Sequence, residues 1–243
     1  FNYLYWKDGI LNKIKGRLAV FAFNNSDGNI FISHELRDNL EKYVTNKNNA
    51  VIYNPVLTED FFDRANEEIF DSKFNNKEIW ITTSRLEHQK GLDILFKAAY
   101  KFLNERDFIL LVVGGGSLET QLKKDYSDLP LKFLGNVNNP LKYLNLADIF
   151  FFPSRREGLG NSLIEAQILG KNIISSDCPS GPKEIIKIFN NGTLFKSESI
   201  NDLIEAIESI ELKEGRNVSK EIVDKFSVEK VSEQYFQILN NLI

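Results

Sequence analysis

From about residue 78 onward, short apolar runs alternate with stretches of helical period, and few folds accept that pattern. Residues 78–84 (EIWITTS) read as a strand. Residues 91–104 follow with Leu92, Leu95, Phe96, Ala99, Phe102 and Leu103 at helical spacing. Residues 108–113 (FILLVV) are apolar without alternation, as in a strand buried on both faces. Further strands are predicted at 131–134, 148–152, 172–176 and 193–195. Helices are predicted near 118–124, at 139–146, at 162–169 closed by Gly170, at 182–189 and at 200–210. Six strands separated by such helices predict an α/β fold, a doubly wound Rossmann-like parallel sheet with right-handed crossovers.

Residues 29–33 (NIFIS), a helix near 35–44 and residues 50–53 (AVIY) form another β-α-β piece. Asn54-Pro55 breaks the chain, because the residue before proline is pushed out of helix. The predicted organisation is 1–54, the end of an incomplete second α/β domain; 55–226, the sheet domain; and 227–243, a C-terminal helix. The chain starts at Phe1 and contains no methionine, so Phe1 is expected to be internal to something longer. Before Asn29, Trp6, Ile10, Leu11, Ile14 and Leu18 share one helical face, with Lys7, Lys13, Lys15 and Arg17 around it. Such a stripe usually packs into a core; the alternative is an anionic membrane surface.

Composition removes several classes. With 243 residues, 42% hydrophobic and 26% charged, the chain is neither disordered, collagenous nor coiled coil. Its net charge of −4 argues against nucleic acid as the main partner. The single cysteine, Cys178, forms no internal disulfide and fits a reducing cytosol. One cysteine and two histidines do not build a Cys/His zinc site. No apolar run approaches the roughly 18 residues of a membrane span.

Residues 153–170 (PSRREGLGNSLIEAQILG) carry the densest chemistry. A strand ends, a loop with Gly158 and Gly160 follows, and a helix is predicted to start at Asn161 acting as N-cap. The amides of Ser162, Leu163 and Ile164 would then lack intrahelical partners and form an anion site. Glu157 and Glu165 stand eight positions apart. They are either two solvated glutamates near a capped helix or acceptors for the hydroxyls of a sugar or ribose. Residues 84–91 (SRLEHQKG) place Arg85 at a strand end and Lys90 before a helix, where a cation opposes the dipole unless a polyanion binds between them. Two merely exposed basic residues are the other reading. Gly114, Gly115 and Gly116 match neither G-x-G-x-x-G nor a P-loop, and read more readily as a strand-to-helix turn than as a backbone cradle.

In that order these motifs resemble the retaining glycosyltransferases of family four, which have the GT-B fold. The Glu157-x7-Glu165 segment carries the signature, and Arg85 with Lys90-Gly91 matches the diphosphate-binding element. Residues 133–137 (FLGNV), 175–186 (SSDCPSGPKEII), 190–195 (NNGTLF) and 51–55 (VIYNP) match the accompanying segments, so the likeness covers about residues 28–243. The resemblance implies that 55–226 bind a nucleotide-sugar donor, with a UDP-sugar as the expected one. It implies that Arg85 and Lys90 neutralise the diphosphate, Glu165 holds the ribose and Glu157 contacts the sugar. Backbone at Asn161, Ser162 and Leu163 would bind the distal phosphate, Val137 would face the base, and Gly158, Gly114 and Gly115 complete the donor set. The implied acceptor is a growing polysaccharide, lipopolysaccharide or lipid-linked oligosaccharide at the cytoplasmic face of a membrane. No metal or other cofactor is expected, since cations of the chain do the neutralising and no DxD pair stands in a suitable loop. The helix at about 228–242 is expected to cross back toward the first domain, and the chain by itself is expected to be inactive in transfer. A partner-dependent binding subunit is the rival reading; a dinucleotide-dependent oxidoreductase is disfavoured by the missing G-x-G-x-x-G.

Overall fold

The computed structural model describes residues 10–69, 74, 76–213, 215 and 217–242, and side chains within 14–240. The chain opens with α1 (Ile10–Asn24), β1 (Asn29–Phe31), α2 (His34–Glu41) and β2 (Asn49–Val51). β1 and β2 pair in parallel, Asn29 opposite Asn49 and Phe31 opposite Val51. Phe31, Leu36, Leu40 and Val44 are their small core. Trp6 and Lys7 of the predicted amphipathic face lie outside the described residues, as do the side chains of Ile10, Leu11 and Lys13. Ile14, Leu18 and Phe21 of α1 are exposed.

After α3 (Phe61–Ala65) come β3 (Glu78–Thr83), α4 (Leu92–Ala99), β4 (Phe108–Val113), α5 (Glu119–Asp125), β5 (Leu131–Gly135), α6 (Leu141–Leu146) and β6 (Ile149–Phe152). Then follow α7 (Asn161–Ile168), β7 (Asn172–Ser176), α8 (Pro182–Phe189), β8 (Thr193–Phe195), α9 (Ile200–Ser209), α10 (Lys220–Asp224) and α11 (Val228–Leu242). The six strands β3–β8 form one parallel sheet in the order β5-β4-β3-β6-β7-β8. The order reverses between β3 and β6, so the switch point of this doubly wound sheet lies there.

Alternate residues of each strand serve opposite faces. Ile79, Ile81, Phe150 and Phe152 pack with α3, α6, α7 and α8, while Trp80, Leu110, Phe151 and Ile174 pack with α4 and α9. Trp80 stacks on Phe108 at 4.1 Å and meets Phe151 at 5.0 Å and Phe102 at 5.8 Å, fixing the central strands beneath the switch point. The helix predicted over 91–104 ends at Ala99 and tightens into a 3₁₀ turn, Tyr100–Phe102. α3 and α10 were not predicted; five residues are too few to show a period.

The linker between the two sheets is held from the far end of the chain. Val56 N and Leu57 N both donate to Phe226 O, at 2.8 and 2.9 Å, and Val228 N donates to Leu57 O at 3.1 Å. Tyr53 packs on Phe226 at 5.2 Å. α11 therefore starts at the linker, and Tyr235, Phe236 and Leu239 on it are exposed.

Candidate functional site

The loops that leave β3 and β6 flank the switch point. The β3 loop carries Arg85 and Lys90, and the β6 loop carries Glu157 and leads into α7. Lys90 Nζ lies 2.6 Å from Glu157 Oε1, and Ser154 Oγ donates to the same oxygen at 2.6 Å. Both charged side chains are largely covered, 16% and 9% exposed. Lys90 Nζ also stands 5.9 Å over the Phe152 ring. Arg85 is exposed, and its guanidinium makes no hydrogen bond or ion pair among the described residues.

Arg155 locks these two loops together. Its guanidinium donates to Asp93 Oδ1 and Oδ2 at 2.8 and 2.9 Å, to His88 O at 2.7 Å and to Glu198 Oε1 at 2.9 Å. Its amide donates to Gln89 O at 2.8 Å, and Gln89 Nε2 donates to Arg156 O at 2.8 Å. Burial would push the Asp93 carboxyl up, but the Arg155 fork overcomes it and holds Asp93 below the usual carboxylate range. Gly91 lets the corner close, since a Cβ there would stand 2.0 Å from Pro153 O. Arg155 was not singled out in the sequence. An arginine three residues after the end of an apolar strand was the available signal.

The predicted cap of α7 is corrected. Gly160, at φ 93°, is the cap residue, and Asn161 is the first helical residue. A side chain at Gly160 would meet the Phe152 ring at 2.9 Å, so only glycine makes this tight entry. The Asn161 side chain turns outward and its Oδ1 accepts from Asn54 Nδ2 at 2.8 Å. The predicted set of free amides changes with it. Leu163 N and Ile164 N both donate to Gly160 O, at 3.0 and 3.2 Å, so neither is open to an anion. Asn161 N and Ser162 N have no such bond among the described residues. Ser162 Oγ donates to Thr83 O at 3.1 Å, tying α7 to the end of β3. Beside it Thr83 Oγ1 and Ser84 Oγ are buried without a partner among the described residues.

Glu165 is half-buried one turn further on and has no hydrogen-bond partner among the described residues. Burial pushes its carboxyl up to about 7, against a weaker pull from Arg64. The glycines after β4 are accounted for by packing. A Cβ on Gly114 would stand 1.9 Å from Ser84 O, and one on Gly116 would stand 2.5 Å from Leu86 O. Gly115 faces Asn136, and its carbonyl accepts from Leu86 N at 3.0 Å. Gly158 is crossed by Ile32, whose Cδ1 would lie 3.0 Å from a Cβ there. Val137, just beyond β5, is half-buried against the core on the α6 side. Cys178 is buried, and burial pushes its thiol up to about 12, which leaves it unreactive. A cavity of about 830 Å³ lies instead between residues 57–60 and 220–230, away from these strand ends.

An open doubly wound sheet with two cations, two carboxylates and a helix N-terminus at its switch point defines an anion-handling α/β protein. The chain belongs to the glycosyl transferases group 1 family, whose model matches residues 64–225. It is 29% identical over 192 residues to an uncharacterised glycosyltransferase of Methanocaldococcus jannaschii, covering 74% of this chain and 47% of that one. It is 27% identical over 231 residues to the poly(ribitol-phosphate) alpha-N-acetylglucosaminyltransferase of Staphylococcus aureus, covering 83% of this chain and 46% of that one. The chain thus spans about half the length of these two relatives. The crystal structure of HepE of Anabaena in complex with UDP and glucose matches 93% of this chain and 66% of its own, with a TM-score of 0.72 at 19% identity. The fold is that of the GT-B glycosyltransferases, as the sequence resemblance implied.

Proposed function

We propose that the protein transfers a glycosyl group from a UDP-sugar to a growing polysaccharide, lipopolysaccharide or lipid-linked oligosaccharide, with retention at the anomeric carbon. The observation that carries this reading is the meeting of Arg85, Lys90, Glu157 and the entry of α7 at one switch point. Arg85 and Lys90 take the diphosphate, and the amides of Asn161 and Ser162 take the distal phosphate. Glu165 accepts from the ribose hydroxyls, which suits an unpartnered carboxylate. Glu157 meets the sugar.

In transfer the bond from the anomeric carbon to the diphosphate oxygen breaks, and negative charge gathers on that oxygen. Fixed cations and amides already aimed there stabilise the charge without reorganising. The reading needs no metal ion. A relative that transfers N-acetylglucosamine to poly(ribitol phosphate), and a neighbour of the same fold holding UDP and glucose, support it. The exposed apolar face of α1 adds peripheral contact with the cytoplasmic face of an anionic membrane, where a lipid-linked acceptor would lie.

The test is calorimetry with UDP on the full-length protein, followed by a panel of nucleotide sugars scored for slow hydrolysis. Arg85→Ala should weaken UDP binding by about 1.5–3 kcal/mol, the range for hydrogen bonds to charged groups. Unchanged affinity in that variant and in Lys90→Ala would refute the diphosphate assignment.

A further inference from the structure

The two sheets of this chain meet in a clasp. Ser33, wholly buried, caps α2 by accepting from Leu36 N at 3.1 Å, and its hydroxyl donates to Gly158 O at 3.2 Å. The other open amides of that first turn, His34 N and Glu35 N, donate at 3.1 Å each to the two carboxylate oxygens of Glu184, in the first turn of α8. Tyr53 OH donates to Glu184 Oε1 at 2.6 Å. The exchange is reciprocal, because Gly181 N at the cap of α8 donates to Glu35 Oε2 at 3.3 Å. Two helices thus face each other N-terminus to N-terminus, each with its own glutamate on the other's amides. The dipoles alone would repel in that arrangement, so the carboxylates are what make it favourable. Burial and the Glu184 carboxylate hold the Tyr53 phenol well above its ordinary range, so it remains a donor.

The loop of Glu157 runs through this clasp. Gly158 O is held by Ser33. A Cβ on Gly181 would stand 2.6 Å from Leu159 Cα, so α8 is seated on the loop backbone. Glu157 N donates to Pro179 O at 3.4 Å, and Asn161 is held by Asn54. Lys90 is bonded to Glu157 itself and is also steadied through Arg155, Asp93 and Gln89, whereas Arg85 stands on the β3 loop with no contact to the clasp among the described residues.

We propose that Glu184 is a positioning residue for glycosyl transfer: by joining α2 and Tyr53 to α8, it sets where the Glu157 carboxylate stands against the donor sugar. This rests on the proposed role of Glu157. The clasp couples the arrangement of the two units to the reacting end of the donor more directly than to the diphosphate, because Arg85 stands outside it. An error of about 1 Å at a reacting group costs up to a hundredfold in rate, whereas nucleotide affinity is spread over several groups and changes far less.

The experiment uses full-length protein with UDP, UDP-glucose and UDP-N-acetylglucosamine as probes. Glu184→Gln keeps the volume but places an amide donor against amide donors. Lys123→Gln breaks an exposed ion pair with Glu119 on α5, which carries no residue of the clasp or of the ligand loops, and reports what losing one surface contact does by itself. Glu184→Gln should lower the turnover of a sugar nucleotide by about ten- to a hundredfold, with UDP affinity changed by no more than about threefold. In the protein without nucleotide it should also speed amide exchange at Glu157, whose N–H is held by Pro179 O, by about tenfold. Lys123→Gln should change none of these. If Glu184→Gln does not fold, Tyr53→Phe removes a single bond and should shift the same readouts in the same directions. Equal loss of UDP affinity and turnover, or unchanged exchange at Glu157, overturns the positioning role. Wild-type protein that binds no UDP overturns the nucleotide-sugar reading instead, and the role of Glu184 in transfer with it.

Discussion

Lys90 and Glu157 are bonded to each other at 2.6 Å, although the reading of the site gives one to the diphosphate and the other to the sugar. A diphosphate entering the crevice must share or take the lysine. Glu157→Gln therefore frees Lys90, and UDP should bind about three- to tenfold more tightly, the worth of roughly one released hydrogen bond. Transfer should fall steeply in the same variant. Lys90→Ala should do the opposite to binding and leave a covered carboxylate with only Ser154, which costs stability by about 1–3 kcal/mol. Calorimetry with UDP and urea denaturation check both. Weaker UDP binding in Glu157→Gln would show that the pair is no competitor of the ligand.

Glu165 makes stability and binding oppose each other. Its carboxyl is raised to about 7, so between the ordinary carboxylate range and 7 the folded chain binds more protons than the unfolded chain. Stability then falls as pH rises through that window, and the full penalty stands above it. Glu165→Gln removes the penalty. It should stabilise the protein by up to about 3 kcal/mol near pH 8 and by little near pH 4. UDP binding should weaken, because the ribose hydroxyls lose a charged acceptor. Denaturation at both pH values and calorimetry test this; equal stabilisation at the two pH values would mean that Glu165 is not raised.

The sheet was legible because its four inner strands, β3, β4, β6 and β7, are almost wholly buried. Residues 108–113, 172–176 and 193–195 are strands to the residue, and so are 182–189 and 228–242 as helices. The entry of α7 was misread because Asn161 is a good cap by type, while the actual cap is set by the ring of Phe152 beneath Gly160. Arg85, Lys90, Glu157 and Glu165 were readable as residue types at spacings. Their partners were not. Arg155 acts through Asp93 and Glu198, 62 and 43 positions away, and Ser33 reaches Gly158 across 125 positions. Contacts of that separation leave no local pattern.

Arg155 holds the two ligand loops with a planar fork that lysine does not reproduce. Arg155→Lys should cost about 1–3 kcal/mol at neutral pH, the cost of leaving covered polar groups poorly paired. Asp93, held low, contributes stability above its unfolded value and loses it as pH falls through its folded value. The difference between wild type and variant should therefore shrink in acid. A pH-independent difference in urea midpoints would exclude the Asp93 pairing as its source.

α1 exposes Ile14, Leu18 and Phe21 beside Lys15 and Arg17. If this face lies on an anionic bilayer, full-length protein should float with anionic vesicles. Changing Lys7, Lys13, Lys15 and Arg17 to Gln should remove about 1 kcal/mol of attraction per charge near the surface. Equal flotation of the two proteins would leave α1 without a membrane role.

Gly91 and Gly135 separate backbone strain from loop contact. Both are left-handed, with φ of 65° and 66°. A Cβ at Gly135 meets nothing within 4 Å, whereas one at Gly91 would stand 2.0 Å from Pro153 O. Gly135→Ala should cost only the strain of a left-handed residue, about 1–2 kcal/mol. Gly91→Ala bears the same strain and must also push the β3 loop away from the β6 loop, because a backbone oxygen cannot rotate aside. Lys90 moves with its neighbour, so its bond to Glu157 should open. The expected result is a larger drop in urea midpoint for Gly91→Ala than for Gly135→Ala. UDP affinity should fall in the same variant, by no more than in Lys90→Ala, because the lysine is displaced from the diphosphate and not merely released from Glu157. Equal destabilisation by the two substitutions would show that the Lys90-Gly91 corner does not rest on Pro153.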